Sequence, residues 1–235
     1  MNGNTASSPD PLQEHFAKPE MVAQYLEGPR RFVPGLDALL QMTTQLLAEK
    51  APDDARILVL GAGGGSELRA MAAARPNWRF VGVDPSLEML DLARQTAHDF
   101  MDRIELVEGL IDDAPHGPFD AATCLLTLHF LAPDEREHTL RALHDLLKPG
   151  APFVAAHSAF PQEEPERARW LDRYARFAIG AGFDADMAWN ARAAVAASLN
   201  TLEPAHDEAI LRAAGFQNVN LFYAAFTWRG WICGA

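Results

Sequence analysis

The chain has 235 residues, of which 49% are hydrophobic and 22% charged, a composition typical of a globular domain with a full core. Its net charge of -12 argues against a broad nucleic-acid-binding face, which needs clustered Lys and Arg. A membrane span needs about 18 consecutive apolar residues, and none is visible; the polar N-terminus also lacks the apolar segment of a signal peptide. We therefore expect a cytoplasmic protein without a membrane partner.

Strands and helices alternate through the middle of the chain, after a helical N-terminal cap over residues 1–50. Strands are predicted at 56–60, 79–83, 104–108, 121–126 and 152–156, with helices at 66–75, 86–100 and 134–147. Such alternation requires parallel βαβ units with right-handed crossovers. The core of the domain is expected over residues 55–157.

The alternation stops after His157, and the chain continues with two helical stretches at 165–179 and 186–199. Residues 158–204 therefore read as a helical lid inserted above the sheet. Residues 205–235 follow with a helix at 207–214 and strands at 219–224 and 227–233. Two residues between these strands are too few for a crossover, so they predict an antiparallel hairpin. The fold class is a single α/β domain with a mostly parallel seven-stranded sheet.

The first strand leads into a glycine-rich turn, "ILVLGAGGGSEL". A Walker A loop needs a lysine that is absent, and Ser66 stands where a dinucleotide fingerprint has its third glycine. The remaining spacing, Gly61-x-Gly63-x-Gly65, lets the backbone pass close beneath a bulky ligand. A tight strand–helix turn without a ligand is the alternative.

Asp84 follows the second strand in "FVGVDPSLEML", about twenty residues after the glycine turn, as in ribose-binding sites. A carboxylate there can accept hydrogen bonds from both ribose hydroxyls. Alternatively, Asp84 caps the helix that begins near Ser86.

These motifs, with "ELVEGLIDD", "FDAATCLLTLHFL" and "LLKPGAPFVAA", resemble class I S-adenosylmethionine-dependent methyltransferases in order and spacing over residues 55–157. The resemblance implies a Rossmann-like sandwich that binds S-adenosylmethionine and releases S-adenosylhomocysteine. It implies that the methionine half lies against Gly61, Ala62, Gly63 and Gly65, and that Asp84 binds the ribose. The adenine would lie near Pro85, Met89, Leu110 and Ile111. Leu125 and Leu126 would face the sulfonium.

A narrower resemblance, to the carboxy-S-adenosylmethionine synthase branch and its small relatives, rests on "VPG", "TLHFLAPDERE" and "AILRAAGFQNVNLFYAAFTWRG". That branch has tyrosine, aspartate and asparagine where this chain has Leu36, Leu110 and Leu125. Arg192 aligns with the arginine that holds the extra carboxylate there. The three leucines favour a related methyltransferase that acts on a small molecule.

Two histidines are candidate general bases for a hydroxyl or amine acceptor. His129 follows the fourth strand, at the sheet edge where ligands bind, and His157 ends the fifth strand. A structural histidine bonded to the backbone is the alternative in each case.

Further candidates lie in the N-terminal cap and the lid. Tyr25, Arg30 and Arg31 occupy the segment that folds over the cofactor in many family members, where an arginine can meet a carboxylate. Trp170 and Tyr174 stand among the aromatic residues of the lid, which either line an apolar pocket, seat the lid on the sheet or form a homodimer contact. No metal site is expected from the histidine spacing.

Val59 occupies the strand position where family members usually carry an acidic residue. Backbone bonds, Glu67 or an N-terminal arginine must then order the glycine turn, and Val59→Asp is expected to leave cofactor binding intact or to tighten it.

The sequence thus favours methyl transfer to a small molecule. Synthesis of a modified cofactor, methylation of an RNA base as in tRNA modification, a dinucleotide oxidoreductase and a non-catalytic S-adenosylmethionine-binding protein are the alternatives.

Overall fold

A computed structural model describes residues 28–235, so Tyr25 and the helices predicted before residue 28 lie outside the described part of the chain. Two helices precede the sheet, α1 (Gly28–Phe32) and α2 (Leu36–Ala48). The sequence predicts a break where α1 forms. Pro29 supports the short helix because its fixed φ suits a first turn, and its carbonyl accepts the N–H of Val33 at 2.8 Å.

Seven strands form one sheet in the order β3-β2-β1-β4-β5-β7-β6. Neighbours among the first five are parallel, β7 runs antiparallel to β5, and β6 pairs antiparallel with β7 at the edge. The strands are β1 (Arg56–Leu60), β2 (Arg79–Asp84), β3 (Ile104–Glu108), β4 (Ala121–Leu125), β5 (Pro152–Ser158), β6 (Gln217–Ala225) and β7 (Trp228–Gly234). The predicted parallel sheet with a terminal antiparallel hairpin is confirmed.

Three helices connect the parallel strands, two form the lid between β5 and the last helix, and one precedes the hairpin. They are α3 (Ser66–Ala74), α4 (Leu87–Thr96), α5 (Pro133–Asp145), α6 (Glu166–Gly180), α7 (Ala185–Ser198) and α8 (Pro204–Ala213). The helix predicted over 86–100 ends at Thr96 and is followed by a 3-10 helix, His98–Arg103.

The sheet buries a hydrophobic layer on each face because successive strand residues point to opposite sides. Ile57 and Val59 of β1 belong to one layer, with Trp78, and Leu58 and Leu60 belong to the other. Both layers exclude solvent from the strands, which leaves the carboxyl ends of the parallel strands as the accessible edge.

β5 continues two residues beyond its predicted end. Its register partners on β7 are Arg229 for His157 and Trp228 for Ser158. This extension places Ser158 beneath the lid. Within residues 28–235, no helix is long and apolar enough to cross a membrane.

Candidate active site

A cavity of about 500 Å³ lies at the carboxyl ends of the parallel strands. Its size falls within the range of cofactor pockets, about 300–1,000 Å³. The glycine turn, the ends of β2 and β4, the loop after β3 and the start of α5 surround it. Its lining residues are Leu60, Gly61, Gly63, Val83, Asp84, Pro85, Ser86, Met89, Gly109, Leu110, Ile111, Asp112, Leu126, Thr127, Phe130, Leu131, Asp134, Glu135, His138 and Thr139.

Backbone hydrogen bonds hold the glycine turn against β2. The N–H groups of Gly61 and Ala62 both donate to the Val83 carbonyl, at 2.8 and 3.1 Å. Gly61 has a φ of 75°, and a Cβ there would lie 2.0 Å from Thr127 Oγ1. The position therefore demands glycine for both its backbone conformation and its close approach to the loop after β4.

Asp84 joins the glycine turn to β2 while it lines the cavity. Its Oδ2 accepts from the Gly63 N–H at 2.9 Å, and its Oδ1 accepts from the Ser86 N–H at 3.0 Å. Burial raises the pKa of this carboxyl despite the two hydrogen bonds. Ser86, not Asp84, is the N-cap residue of α4, because the Ser86 Oγ accepts the Met89 N–H at 3.2 Å.

The residues expected around the adenine line the far half of the same cavity. Met89 and Ile111 are buried, whereas Leu110 is 55% exposed and forms an apolar wall with Pro85. Beyond them the rim is acidic. There Asp112 and His138 lie 3.3 Å apart and connect the loop after β3 to α5.

Three residues expected at the cofactor face the protein interior instead. Ala62 packs into the core, where its Cβ approaches Gly82. Gly65 permits close packing of α3 on α4, since a Cβ there would lie 2.7 Å from the Ala93 Cα. Leu125 is buried in the core because the inward-facing positions of β4 alternate. The structure gives these residues packing roles, and their predicted cofactor contacts stay predictions.

A second cavity, of about 190 Å³, lies between the sheet edge, α1 and the lid. Leu126 and Phe130 line both cavities, so the two adjoin there. The other residues that line the smaller cavity are Pro29, Phe32, Val33, His129, Ser158, Tyr174, Val195, Leu199 and Trp228.

Leu126, at the junction, has a φ of 57°. This conformation is uncommon for leucine and costs about 1–3 kcal/mol. The hydrogen bond from its N–H to the Ala156 carbonyl, at 2.6 Å, helps to hold it. Such strain is concentrated at binding and catalytic sites.

His129 lines the smaller cavity, and its Nδ1 accepts the backbone N–H of Ser158 at 3.3 Å. Burial lowers the pKa of His129 well below its usual value, with further contributions from His157 and Arg136. The ring is therefore neutral, and its proton is carried by Nε2 because Nδ1 is the acceptor. This tautomer leaves the Nε2–H as a donor, and the general-base role of His129 stays a prediction.

His157 points to the opposite face of β5 from Ser158 and lines neither cavity. Its Nε2 lies 3.1 Å from Asp207 Oδ1, and Arg136 pairs with the same carboxylate. Burial alone would raise the pKa of Asp207, but His157 and Arg136 outweigh it and hold the pKa below its usual value. His157 thus lies in a buried cluster with Asp207 and Arg136, and its catalytic role stays a prediction.

The lid contributes Tyr174 to the smaller cavity, and its ring stacks on Phe32 of α1 with centroids 4.8 Å apart. Trp170 does not line the cavity; Arg173 and Arg229 lie over its ring, at 4.4 and 5.5 Å from the centroid.

The three arginines predicted to meet a carboxylate each have a partner within the protein, and their ligand contacts stay predictions. Arg192 pairs with Asp172 at 3.0 Å, within the lid. Arg30 pairs with Asp37 at 2.6 Å, and Arg31 donates to the Ala181 carbonyl at 3.0 Å. Helix α1 therefore meets the smaller cavity with its apolar side chains.

Thr127, Phe32 and Trp228 are site residues that the sequence analysis missed. Thr127 follows β4 directly, and this position was a usable signal. Phe32 and Trp228 come together only because the Trp228 Nε1 donates to the Phe32 carbonyl at 2.9 Å, across 196 residues. No local pattern reveals such a contact.

The larger cavity fits an adenosyl cofactor. Asp84 offers a carboxylate, Gly63 allows close approach beside it, and Leu110 and Met89 supply an apolar wall. Among residues 28–235, no group of three or more His, Cys, Asp or Glu is arranged to hold a metal ion.

Comparison with known proteins agrees with this geometry. A family described as "Methyltransferase domain" matches residues 58–153. The carboxy-S-adenosyl-L-methionine synthase of Chromohalobacter salexigens is 29% identical over 210 residues, which cover 87% of this chain and 77% of that protein.

Solved methyltransferase structures share the fold. Magnesium protoporphyrin IX methyltransferase from Synechocystis superposes with a TM-score of 0.69 at 15% identity, covering 95% of this chain and 97% of that one. An O-methyltransferase family protein from Burkholderia thailandensis superposes with a TM-score of 0.67 at 17% identity, and the match covers 93% of this chain. This chain spans only 61% of the length of that protein. The matched domain, the relatives and the sheet order together support a class I S-adenosylmethionine-dependent methyltransferase.

Proposed function

We propose that this enzyme transfers the methyl group of S-adenosylmethionine to a small molecule held in the smaller cavity. The observation that carries the proposal is the junction at Leu126 and Phe130, where a lid-covered apolar cavity adjoins the cavity that fits the cofactor. An acceptor there would meet the cofactor from the side opposite Asp84 and the adenine wall.

The cofactor, when bound, supplies an electrophilic methyl group on a sulfonium. Asp84 would accept hydrogen bonds from the ribose, and Met89 and Leu110 would cover the adenine. The chain's own contribution is to orient the acceptor in line and to exclude water. His129 and Tyr174 provide polar groups that orient the acceptor, within walls that are otherwise mainly apolar.

Ligand-dependent thermal stability tests the first half of the proposal. S-adenosylmethionine and S-adenosylhomocysteine should raise the melting temperature of the full chain, since ligands stabilise the state that binds them. Stabilisation by NAD alone would refute it. A screen of small molecules for S-adenosylhomocysteine release then tests catalysis, and a bound cofactor with no product would indicate a non-catalytic binding protein.

A second candidate is synthesis of a carboxylated cofactor, since the curated relatives carry that name. The polar residues of that branch are replaced here by Leu36, Leu110 and Leu125, and Arg192 is paired within the lid. Mass spectrometry of the cofactor after incubation separates the two candidates, because only the second produces a heavier, carboxylated S-adenosylmethionine. Transfer to an RNA base is disfavoured by the net charge of -12.

A further inference from the structure

The smaller cavity restricts the charge of its occupant. Its described lining includes four aromatic residues, Phe32, Phe130, Tyr174 and Trp228, and none of the lining residues within 28–235 is Asp, Glu, Lys or Arg. Moving an unpaired charge from water into such surroundings is costly. A negative charge would meet mainly aromatic and apolar groups here, so an anionic acceptor is disfavoured.

The volume restricts its size. The cavity holds about 190 Å³, and an apolar cavity of about 150 Å³ in another protein holds one benzene molecule. One ring with small substituents fills the available space.

The hydrogen-bond geometry restricts the acceptor atom. His129 Nδ1 is occupied by the Ser158 N–H, so its Nε2 already carries a proton. Burial raises the pKa of Tyr174, so its hydroxyl also keeps its proton. Neither of these two titratable groups in the described lining is ready to accept a proton. The acceptor atom should therefore have a lone pair and no proton to lose.

We propose that the acceptor is a neutral single-ring molecule methylated on an unprotonated ring nitrogen of the pyridine type. This inference rests on the proposed function. The nitrogen lone pair forms the new N–CH₃ bond, and the S–CH₃ bond breaks with its electron pair on sulfur. The positive charge passes from sulfur to nitrogen, and no proton is released.

The aromatic lining suits the cationic product. A cation over an aromatic ring is stabilised by about 0.5–2 kcal/mol, the larger value applying where water is excluded. The Phe32 and Tyr174 rings stack at 4.8 Å, and the Trp228 indole is fixed by its hydrogen bond to Phe32. These aromatic rings therefore place π-electron density beside the smaller cavity.

Two matched probes test the inference with the full chain and S-adenosylmethionine. 4-Methylpyridine and 4-methylphenol have similar size, but only the phenol must lose a proton on methylation. We expect an N-methyl product from the pyridine, detected by mass spectrometry, at a kcat/KM at least about tenfold above that for the phenol. Turnover of the phenol in preference would overturn the inference and leave methyl transfer to a small molecule standing.

Binding of the product cation, 1,4-dimethylpyridinium, gives a readout that does not depend on turnover. Calorimetry should show binding that weakens about five- to tenfold in Tyr174→Leu, consistent with loss of one cation–π contact. Tyr174→Phe keeps the ring and should retain binding, provided that both variants melt cooperatively. If the cation does not bind, or binds equally to Tyr174→Leu, the inference is wrong. If in addition no molecule in the screen is methylated, the proposed function fails with it.

Discussion

Glu67 of α3 and Thr123 of β4 share a hydrogen bond, with 2.7 Å between Oε1 and Oγ1. Thr123 is the register partner of Val59 on β1. A buried carboxyl group therefore lies beside the strand position where an acidic residue was expected, but it comes from the helix. Of the alternatives for ordering the glycine turn, the structure shows backbone bonds together with Asp84, while Glu67 ties α3 to β4.

Titration of Glu67 should make the stability of the protein depend on pH. Burial raises the pKa of its carboxyl from 4.5 to about 8, against the opposing effect of the Thr123 hydrogen bond. The folded protein then keeps a proton that the unfolded chain loses above pH 4.5, so the free energy of unfolding falls as pH rises towards 8. At about 1.36 kcal/mol per pH unit, the total loss is roughly 5 kcal/mol at most.

The matched variant is Glu67→Gln, which keeps the shape and a hydrogen-bond partner for Thr123 but does not titrate. Urea denaturation at pH 5, 6.5 and 8 should show a shallower decline in unfolding free energy for the variant than for the parent. Parallel curves for the two proteins would show that Glu67 titrates normally.

Val59→Asp should destabilise the fold, in contrast to the expectation from sequence that cofactor binding survives it. The Val59 side chain has 0% exposure and lies within the core layer, next to the strand that carries Thr123. A carboxylate there would lie in an apolar layer near the Glu67 carboxyl group, which costs several kcal/mol.

Val59→Asn is the control for Val59→Asp, because it introduces polarity without charge. Thermal unfolding at pH 8 should give the lowest melting temperature for the aspartate. At pH 5, where the new carboxyl can be protonated, the melting temperatures of the two variants should differ less than at pH 8. An aspartate variant that melts like the parent at pH 8 would mean that the strand end opens to water.

Gly61→Ala should weaken cofactor binding by at least about tenfold. The added Cβ would lie 2.0 Å from Thr127 Oγ1, and the φ of 75° costs alanine about 1–2 kcal/mol more than glycine. Either the glycine turn or the loop after β4 must move, and both line the larger cavity. Titration calorimetry with S-adenosylhomocysteine measures the loss. Gly180→Ala is the control, since its Cβ meets nothing within 4 Å, and unchanged affinity in both variants would contradict the prediction.

The parallel strands and the hairpin were predictable from sequence because hydrophobic runs, turn residues and loop lengths are local signals. The two-residue link before β7 alone required antiparallel pairing. The extension of β5 to Ser158 was not predictable, because it depends on pairing with Trp228, seventy residues later in the chain. The proline and glycine residues around α1 predict a break in the sequence, but proline also favours a first helical turn, and the helix forms.

The site was predictable where the backbone itself lines the cavity, at Gly61, Gly63 and Asp84. The site was not predictable where the direction of a side chain determines whether it lines the cavity. Adjacent residues of β5, His157 and Ser158, face opposite sides, and sequence alone does not show which side is the cavity. The partners of Arg192 and Arg31, which are Asp172 and the Ala181 carbonyl, were likewise not predictable, since they are brought together by the folded lid. The exposed Met187 and Trp189 of α7 leave a homodimer contact through the lid as a prediction.

Removing one partner of the buried Arg136–Asp207 pair should cost about 3–5 kcal/mol, because the other charge loses its ion-pair partner in the core. Both side chains are 1% exposed, and Arg136 also donates to the Asn200 carbonyl at 2.6 Å. Asn200 in turn donates to the His129 carbonyl at 2.9 Å, so the pair connects the end of the lid to the loop that carries His129.

Arg136→Met and Asp207→Leu should each lower the unfolding free energy in urea by that amount, and the double variant by less than their sum. Additive losses would show that the two charges do not stabilise each other. The exposed pair of Arg141 and Glu137 on α5 serves as the control, since removing Arg141 should change stability by less than about 1 kcal/mol.

His129 should act as a hydrogen-bond donor to the acceptor, and the pH profile of turnover distinguishes this role from that of a base. Because its pKa lies well below the usual value, the ring stays neutral from pH 6 to 8 and contributes no slope to log kcat in that range. His129→Gln retains an N–H donor and an acceptor for the Ser158 N–H, whereas His129→Phe retains only the aromatic ring. With an acceptor found in the product screen, the glutamine variant should keep kcat/KM within a few-fold of the parent value.

The phenylalanine variant should lose about tenfold in kcat/KM, the value of one neutral hydrogen bond, while S-adenosylhomocysteine affinity stays unchanged in both variants. A loss of 10² or more in kcat for His129→Gln, typical of removing a general base, would instead restore the proton-accepting role.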